Sequence, residues 1–364
     1  MLVILLILIF IRPFISSLAF PYLNSIYSSL LIGFLVIWII NKGIPLKKIQ
    51  CFKYPLILFC LALIISLVFS SNKLNSFKEL YKYISGILLF LIVVSLTYEN
   101  KIRLIRTIIL AGFIISLLAI YQYFFGFQHI LDYISKEKIT DPFTLDYIQR
   151  RRVFFPFVTP NTLAGYLAMI IPLVSRIWFI IPISFALLLT KSLGALLSLL
   201  LALVIYFYLQ GKLERREVIF LSGILVIISL LFITRSATQK EHLQPIFSTV
   251  MRLNYWKDTL RIIKAKPLTG VGIGNFNLKL SRYAHNSYLQ IWAEMGILGM
   301  VSFLWLIIAV FKSSFKNIKD FPNKKLMTGL ITANAVFLIH NLVDFSFFLP
   351  EVLMIWWMIL GLIL

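Results

Sequence analysis

The 364-residue sequence is short of charge and shorter still of acid: 13% of its residues are charged, and only 14 are Asp or Glu. Ordinary globular chains carry about 25% charged residues, so there is too little polar surface here to wrap a soluble core. Cysteine is almost missing. Cys51 and Cys60 stand nine apart with no CxxC and no histidine at ligand spacing, which excludes a zinc site and a disulfide framework and leaves two membrane-buried thiols. No repeat at a fixed period is evident, nor a matching pair of broken hydrophobic segments in two halves, the pattern of many secondary transporters.

What the chain has in excess is apolar residues, 60% of the total. Runs of roughly 15 to 22 recur along its whole length, as needed to cross a bilayer core. The expected architecture is all-α: one polytopic transmembrane helical bundle over residues 1–364. Its twelve or so spans fall near 2–19, 22–41, 54–70, 82–98, 104–124, 160–175, 177–190, 192–209, 217–233, 288–311, 325–345 and 348–364. The opening MLVILLILIFI lacks a basic flank and a small-residue cleavage site, so it reads as the first span rather than as a secretory signal. The span at 177–190 is short enough to be tilted or re-entrant.

The formal net charge of +21 would suggest nucleic acid in a soluble protein. Here the basic residues lie between spans, where membrane orientation and anionic lipid account for them, and no nucleic-acid partner is expected. Alternate short connections carry Lys42, Lys47, Lys48 and Lys53; Lys101, Arg103 and Arg106; Arg176; Lys212, Arg215 and Arg216; and Lys312, Lys316, Lys319, Lys324 and Lys325. The opposite short connections hold only Lys73, Lys78, Lys82 and Lys191. The positive-inside rule then puts both termini in the cytoplasm. Two long connections, 125–159 and 234–287, fall outside and are themselves basic, with Lys136, Lys138, Arg150, Arg151, Arg152 and nine more from Arg235 to Arg282. Such a surface suits an anionic ligand at the outer leaflet, and equally a solvated loop over anionic headgroups.

Between spans nine and ten, residues 251–276 read as an amphipathic helix closed by Pro267 and a glycine turn. Leu253, Trp256, Leu260 and Ile263 recur at spacings of 3, 4 and 3, giving one apolar stripe. At about 100° per residue, Arg252 sits on the edge of that stripe and Arg261 about 180° away. Arg252 can therefore face the bundle and grip a phosphate bidentately, as lysine cannot; the alternative is an arginine snorkelling at the surface. Gly270, Gly272 and Gly274 follow a helix and not a strand, so they are a backbone turn and not a dinucleotide loop. His285 and Asn286 stand at the N-terminus of span ten, where the helix dipole and a nearby arginine favour neutral imidazole able to accept a proton. Glu294 lies two to three turns deeper, where a carboxylic acid needs a polar interior. Arg152, Pro160 and Asn161 precede or open span six, Lys191 and Ser192 separate spans seven and eight, and His340 with Asp344 end span eleven at i, i+4. Each alone has a plain structural explanation: Asn161 as a helix cap, His340 with Asp344 as a structural pair. All belong to one side of the membrane, and their convergence argues for a site there.

From about residue 150 onward these segments resemble the O-antigen ligase and Wzy-type polymerase superfamily of bacterial envelope glycosyltransferases. RRVFFPFVTPNTLAGYLAM is similar to its Arg, Phe, Pro-Asn, Leu-Ala stretch and TKSLGALLSLLLAL to its Thr-x-Ser-Arg-Gly-Ala segment. MRLNYWKDTLRIIKAKPLTGVGIGNF resembles its Arg-Trp-Pro-Leu-Gly-x-Gly block, and AHNSYLQIWAEMGILG its His-Asn signature. The first 150 residues match only as hydrophobic spans. The resemblance implies a GT-C-like enzyme of the bacterial inner membrane, with its active site on the external face. It would transfer glycan from an undecaprenyl diphosphate-linked donor to a lipid A-core or glycan acceptor in lipopolysaccharide or surface polysaccharide biosynthesis, in contact with membrane lipid. His285 would be the general base and Arg252 a diphosphate ligand, with Arg152, Lys191, Asn161, Asn286 and Glu294 as further substrate-binding residues. One departure stands out: Leu193 occupies the position of the family's Ser-Arg arginine, and Lys191 starts from a different direction.

The sequence has no DxD, the usual holder of a divalent ion on a leaving diphosphate, so the expected transferase uses neither metal nor cofactor and leans on Arg and Lys. A polymerase or a protein O-glycosyltransferase of the same family would share these residues. From another class, a lipid-linked glycan flippase or a solute transporter would instead place its charges near the midplane and need access from both sides.

Overall fold

The computed structural model describes residues 1–45, 47–137, 147–236, 245–318 and 321–364. Lys138, Lys240 and Lys319 of the basic residues counted above lie outside them. The described residues are all-helical, without a strand. In chain order the helices are α1 Leu2–Ile11, α2 Pro21–Lys42, α3 Gln50–Val68, α4 Lys73–Ser95, α5 Tyr98–Tyr121, α6 Phe127–Glu137, α7 Pro160–Ile170, α8 Ile177–Leu189, α9 Leu193–Gln210, α10 Arg215–Ser236, α11 Pro245–Ala265, α12 Ser287–Asn317, α13 Lys324–His340 and α14 Pro350–Ile363. Among the described residues six helical segments are long and apolar enough to cross a membrane: α2, α3, α9, α10, most of α12, and the continuous run Tyr98–Asp132 formed by α5 and α6. Four shorter apolar segments, built on α1, α7, α8 and α14, accompany them.

Local chemistry sets the helix ends. Pro13 stops α1 well before residue 19, the expected end of the first span, because proline cannot donate within a helix. Asn72, Thr159, Asn286 and Asn323 cap α4, α7, α12 and α13, each side chain accepting a backbone N–H three residues on. This corrects one sequence expectation: Thr159, and not Asn161, caps α7. Helix α4 begins at Lys73, a good two turns before residue 82, so Lys82 lies inside a helix and is buried.

Helix α14 is the core, buried from Pro350 to Ile363. Trp357 packs against Phe59 and Phe90, and Trp356 against Phe303, Phe337 and Phe347. The Trp356 indole N–H donates to Asn334 Oδ1 (2.7 Å). Lipid tails are as apolar as leucine, so such close packing and internal hydrogen bonds replace the hydrophobic drive that holds soluble cores. The outer helices turn Ile, Leu and Val outward: α10 has no buried residue across its 18-residue apolar window. Cys51 is exposed and Cys60 half-buried, both as free thiols.

Six connections gather at one end of the bundle. Arg12, just after α1, pairs with Glu351 at the start of α14 (3.2 Å), and Asn24 donates to Tyr81 (2.8 Å). Ser71 N donates to Val271 O (3.1 Å), and Ser287 N to Asn341 O (2.9 Å). Gln122, ending α5, accepts from Phe154 N and Phe155 N, and Arg152 donates to Thr190 O beyond α8 (3.0 Å).

Candidate active site

Two groups of basic side chains meet at this end. A left-handed backbone at Arg151 (φ 48°) closes a turn in which Arg152 N donates to Tyr147 O (2.8 Å). That turn sends the Arg152 side chain inward, where it is buried. Its Nε donates to Thr190 O (3.0 Å) and one Nη to Asn161 Oδ1 (3.0 Å), and the guanidinium lies 5.5 Å over the Tyr147 ring. Asn161 Oδ1 accepts a second bond from Ser192 Oγ (3.0 Å). Lys191, also left-handed (φ 52°), donates from Nζ to Arg150 O (2.6 Å). Burial pushes its ammonium below the usual lysine range, and Arg152, Arg150 and Arg151 push the same way. Three of the expected residues, Arg152, Asn161 and Lys191, are thus in one place. Leu193 opens α9 close by.

The second group is carried by α11 and by the loop ahead of α12. Arg252 donates from Nη1 to Ser248 Oγ (3.0 Å), and its Nε is buried with no hydrogen-bond partner. Burial lowers the guanidinium pKa, while Asp344, Tyr147 and Tyr255 act to raise it. Tyr147 therefore lies within electrostatic reach of Arg252 and beneath Arg152, linking the two groups. One turn on, Tyr255 stacks on His285 (centroids 5.5 Å, planes 21° apart), and the Phe345 ring meets the imidazole edge-on at 4.9 Å. His285 takes a left-handed backbone (φ 51°), and its Nδ1 is buried without a hydrogen-bond partner. Burial pushes its pKa from 6.5 down to about 4, Asp344 opposing and Arg252 assisting. At neutral pH the ring is uncharged.

Behind His285 lies a pair that the i, i+4 spacing foretold. His340 Nε2 is 3.4 Å from Asp344 Oδ2 and 3.3 Å from Asn161 O. Asp344 Oδ2 also accepts from Ser346 N (3.1 Å) and Ser346 Oγ, whereas Oδ1 is buried without a hydrogen bond.

The exposed face of α11 corrects the expected stripe. Tyr255, Thr259 and Ile263 are buried, with Met251 and Ile262 packed beside them, while Leu253 is 52% and Leu260 43% exposed. Beside a bilayer a leucine need not hide from its surroundings, so the most hydrophobic positions do not mark the inward face. Arg252 still borders the buried face, and Arg261 is exposed and paired with Asp258 (2.8 Å).

Two of the expected site residues make hydrogen bonds within the protein. Asn286 Oδ1 is taken up in capping α12, accepting from Leu289 N (3.0 Å). Glu294 accepts from Gln290 Nε2 (2.9 Å) and Gly274 N (3.0 Å), and Gln290 Oε1 accepts from Ala284 N, one residue before His285 (3.0 Å). Glu294 therefore fastens the glycine loop and the His285 loop to α12. That loop is where small residues are required. Gly270, Gly272 and Gly274 all have positive φ, and a Cβ on them would come within 2.4–2.5 Å of Glu294 O, Ser70 Oγ and Glu79 Cγ respectively. The same region pairs Glu79 with Lys82 (2.7 Å) and Arg282 (3.1 Å). Tyr147, Tyr255 and Phe345 were not singled out from sequence; only Tyr255, three residues after Arg252 on a helix, had a signal to find. Among the described residues no group of three or more His, Cys, Asp or Glu is placed to hold a metal ion.

The fold and this end of the bundle define a membrane-embedded helical protein with arginine, lysine and neutral histidine converging on one surface. Residues 177–304, from α8 into α12, match the family model described as O-antigen ligase, so this part of the chain is similar to that family. The matched stretch contains Lys191, Arg252, His285, Asn286 and Glu294; Arg152, Asn161, His340 and Asp344 lie outside it. A search of curated proteins returns no match.

Proposed function

We propose that this protein transfers glycan from an undecaprenyl diphosphate-linked donor to an acceptor hydroxyl at the outer leaflet of the bacterial inner membrane, as an O-antigen ligase-type enzyme. The observation that carries the reading is His285 beside Arg252: an imidazole kept neutral by burial, with an unpartnered ring nitrogen, next to a guanidinium with an unpartnered buried N–H. A polyprenyl diphosphate is already an activated leaving group. The protein must neutralise its developing charge and position the acceptor, which basic groups and one neutral base can do.

In the proposed reaction His285 takes the proton of the acceptor hydroxyl as its oxygen attacks the anomeric carbon. The anomeric C–O bond breaks and its electron pair leaves on the diphosphate, held by Arg252 and Arg152 with Lys191 contributing charge in place of the arginine that Leu193 lacks. Asp344, close enough to raise the imidazole pKa, stabilises the imidazolium as it forms. In-line attack inverts the anomeric configuration; retention by product NMR would remove this step from the proposal.

The deciding experiment is glycan transfer by purified protein from an undecaprenyl diphosphate donor to candidate acceptors in EDTA, with wild type, His285→Ala and Arg252→Ala. Metal-independent transfer lost in both variants is the expected result. The acceptor that becomes glycosylated, lipid A-core, glycan or protein, separates ligase from polymerase from protein O-glycosyltransferase. Transfer that persists in both variants refutes these roles, and flipping or uptake lost in their place points to the transporter class.

A further inference from the structure

In the stretch of loop ahead of His285 there is a cleft of about 490 Å³, within the usual range of ligand pockets, about 300–1,000 Å³. It lies between the start of α4 and the loop 274–282, and it is lined by Ser71, Asn75, Lys78, Glu79, Asn277 and Arg282. We propose that this cleft binds a neutral saccharide and that it is the acceptor's glycan which occupies it.

The wall is rigid. Gly274 N is bound to Glu294, and Asn275 Nδ2 is fastened to Ser70, Ser76 and the Asn72 carbonyl. Glu79 is held from two sides by Lys82 and Arg282. The side chains of Asn75, Asn277 and Lys78, by contrast, make no hydrogen bond or ion pair among the described residues, and each amide offers both donors and an acceptor. Such groups match vicinal hydroxyls. Diphosphate is a poorer fit, because the Glu79 carboxylate already engages Arg282 and Lys82 and leaves Lys78 as the one unpaired cation among the described lining residues.

Position supplies the acceptor assignment, which rests on the function proposed above. Arg282 precedes His285 by three residues. Tyr283 stacks on Phe345 (4.1 Å, 8°), Phe345 meets His285 edge-on, and Tyr255 from the Arg252 helix stacks on His285 in turn. A continuous run of ring contacts thus joins Arg282, at the cleft, to His285 through Tyr283 and Phe345, with Tyr255 of the Arg252 helix on the same imidazole, and this continuity is what ties the cleft to the acceptor side of the reaction.

The test is saturation-transfer NMR on the purified full chain in detergent, using the methyl glycosides of glucose, galactose and N-acetylglucosamine. Saturation of at least one glycoside is expected. It should fall about tenfold in Asn75→Ala/Asn277→Ala, the loss of two hydrogen bonds at the low end of their net worth, and persist in Arg252→Ala. No saturation of any glycoside, or saturation undiminished in the double variant at an unchanged unfolding temperature, overturns the cleft. Where transfer is measurable, the double variant should raise acceptor KM about tenfold with donor KM unchanged; a rise in donor KM instead overturns the acceptor assignment. If wild type transfers nothing, the enzymatic reading fails by itself, and the NMR still decides whether the cleft binds sugar.

Discussion

Gly296→Ala should unfold this protein several degrees early. Helix α12 is broken at Gly296 (φ 67°, ψ −172°), a backbone region essentially reserved for glycine, whose occupation by another residue costs about 1–3 kcal/mol. At the break Ala293 O and Glu294 O turn away from their own helix and accept from Val271 N (2.9 Å) and Gly272 N (3.0 Å), while Ile297 N donates to Pro267 O (2.9 Å). A Cβ on residue 296 would lie 2.0 Å from Leu268 O and 2.8 Å from Thr269 N. Both obstacles are backbone, so the loop must withdraw and take those three bonds with it, at about 0.5–1.5 kcal/mol each. The sum is roughly 2.5–7.5 kcal/mol. Gly223→Ala in α10 is the control: nothing lies within 4 Å of its Cβ position, and alanine there should be worth about 0.5–1 kcal/mol of helix stability. Thermal unfolding in detergent, followed by tryptophan fluorescence, should show a drop of more than roughly 5 °C for Gly296→Ala and none for Gly223→Ala. Equal unfolding temperatures for Gly296→Ala and wild type would refute the claim that the break is stitched by this loop.

Transfer kinetics should report the state of His285. With its pKa near 4, the ring is the neutral base throughout pH 6–8, so kcat/KM should stay flat there and fall only as pH drops toward about 4; an acid limb centred near 6.5 would show that burial does not control the imidazole. Asp344→Asn removes the influence that raises this pKa and should move the limb to still lower pH. Arg252→Lys keeps the charge but loses the planar fork, so kcat/KM should fall about tenfold, and further in Arg252→Ala; a lysine variant equal to wild type would exclude bidentate grip. Glu351→Gln leaves Arg12 buried without its counter-charge and should cost about 3–5 kcal/mol of stability by thermal unfolding, most of it recovered in Arg12→Met/Glu351→Met; equal losses in the two would mean that the pair itself, rather than its imbalance, carries the stability.

Composition made the helical class legible because a bilayer tolerates little besides apolar helices. The places where sequence misled are places where lipid changes the rule. Leu253 and Leu260 were expected to face inward and do not, since apolarity near a membrane marks either face. Lys82 was expected in an outer connection and is buried in α4, because Glu79 one turn earlier neutralises it. Arg252 and His285 were legible as residues, and their proximity was not: it runs through Tyr255, which stacks on His285 from the helix that carries Arg252 and stands 30 positions away along the chain. Glu294 was expected both to bind substrate and, as a deep carboxylate, to need a polar interior. That interior exists, and it includes Gln290, the Gly274 amide and Lys82.

The departures from regular helix explain why the polar groups collect where they do. Within the bundle α12 breaks at Gly296, the glycine loop returns to its open carbonyls, and Arg151, Lys191 and His285 all take left-handed backbone. Irregular backbone at membrane depth persists only where protein partners satisfy it or where it lines a polar cavity. Here the partners are Ser66, which donates to Glu294 O and accepts from Ile273 N, and Ser76, which donates to Ile273 O. Serines of α3 and α4, outside the matched residues 177–304, thus complete the loop that ends at His285. Helices α3 and α4 are therefore structural partners of the loop that leads to His285, and Ser66→Ala should loosen that loop. Hydrogen exchange at residues 271–275 reads this directly: faster exchange is expected in Ser66→Ala, and unchanged protection would separate the N-terminal spans from the site.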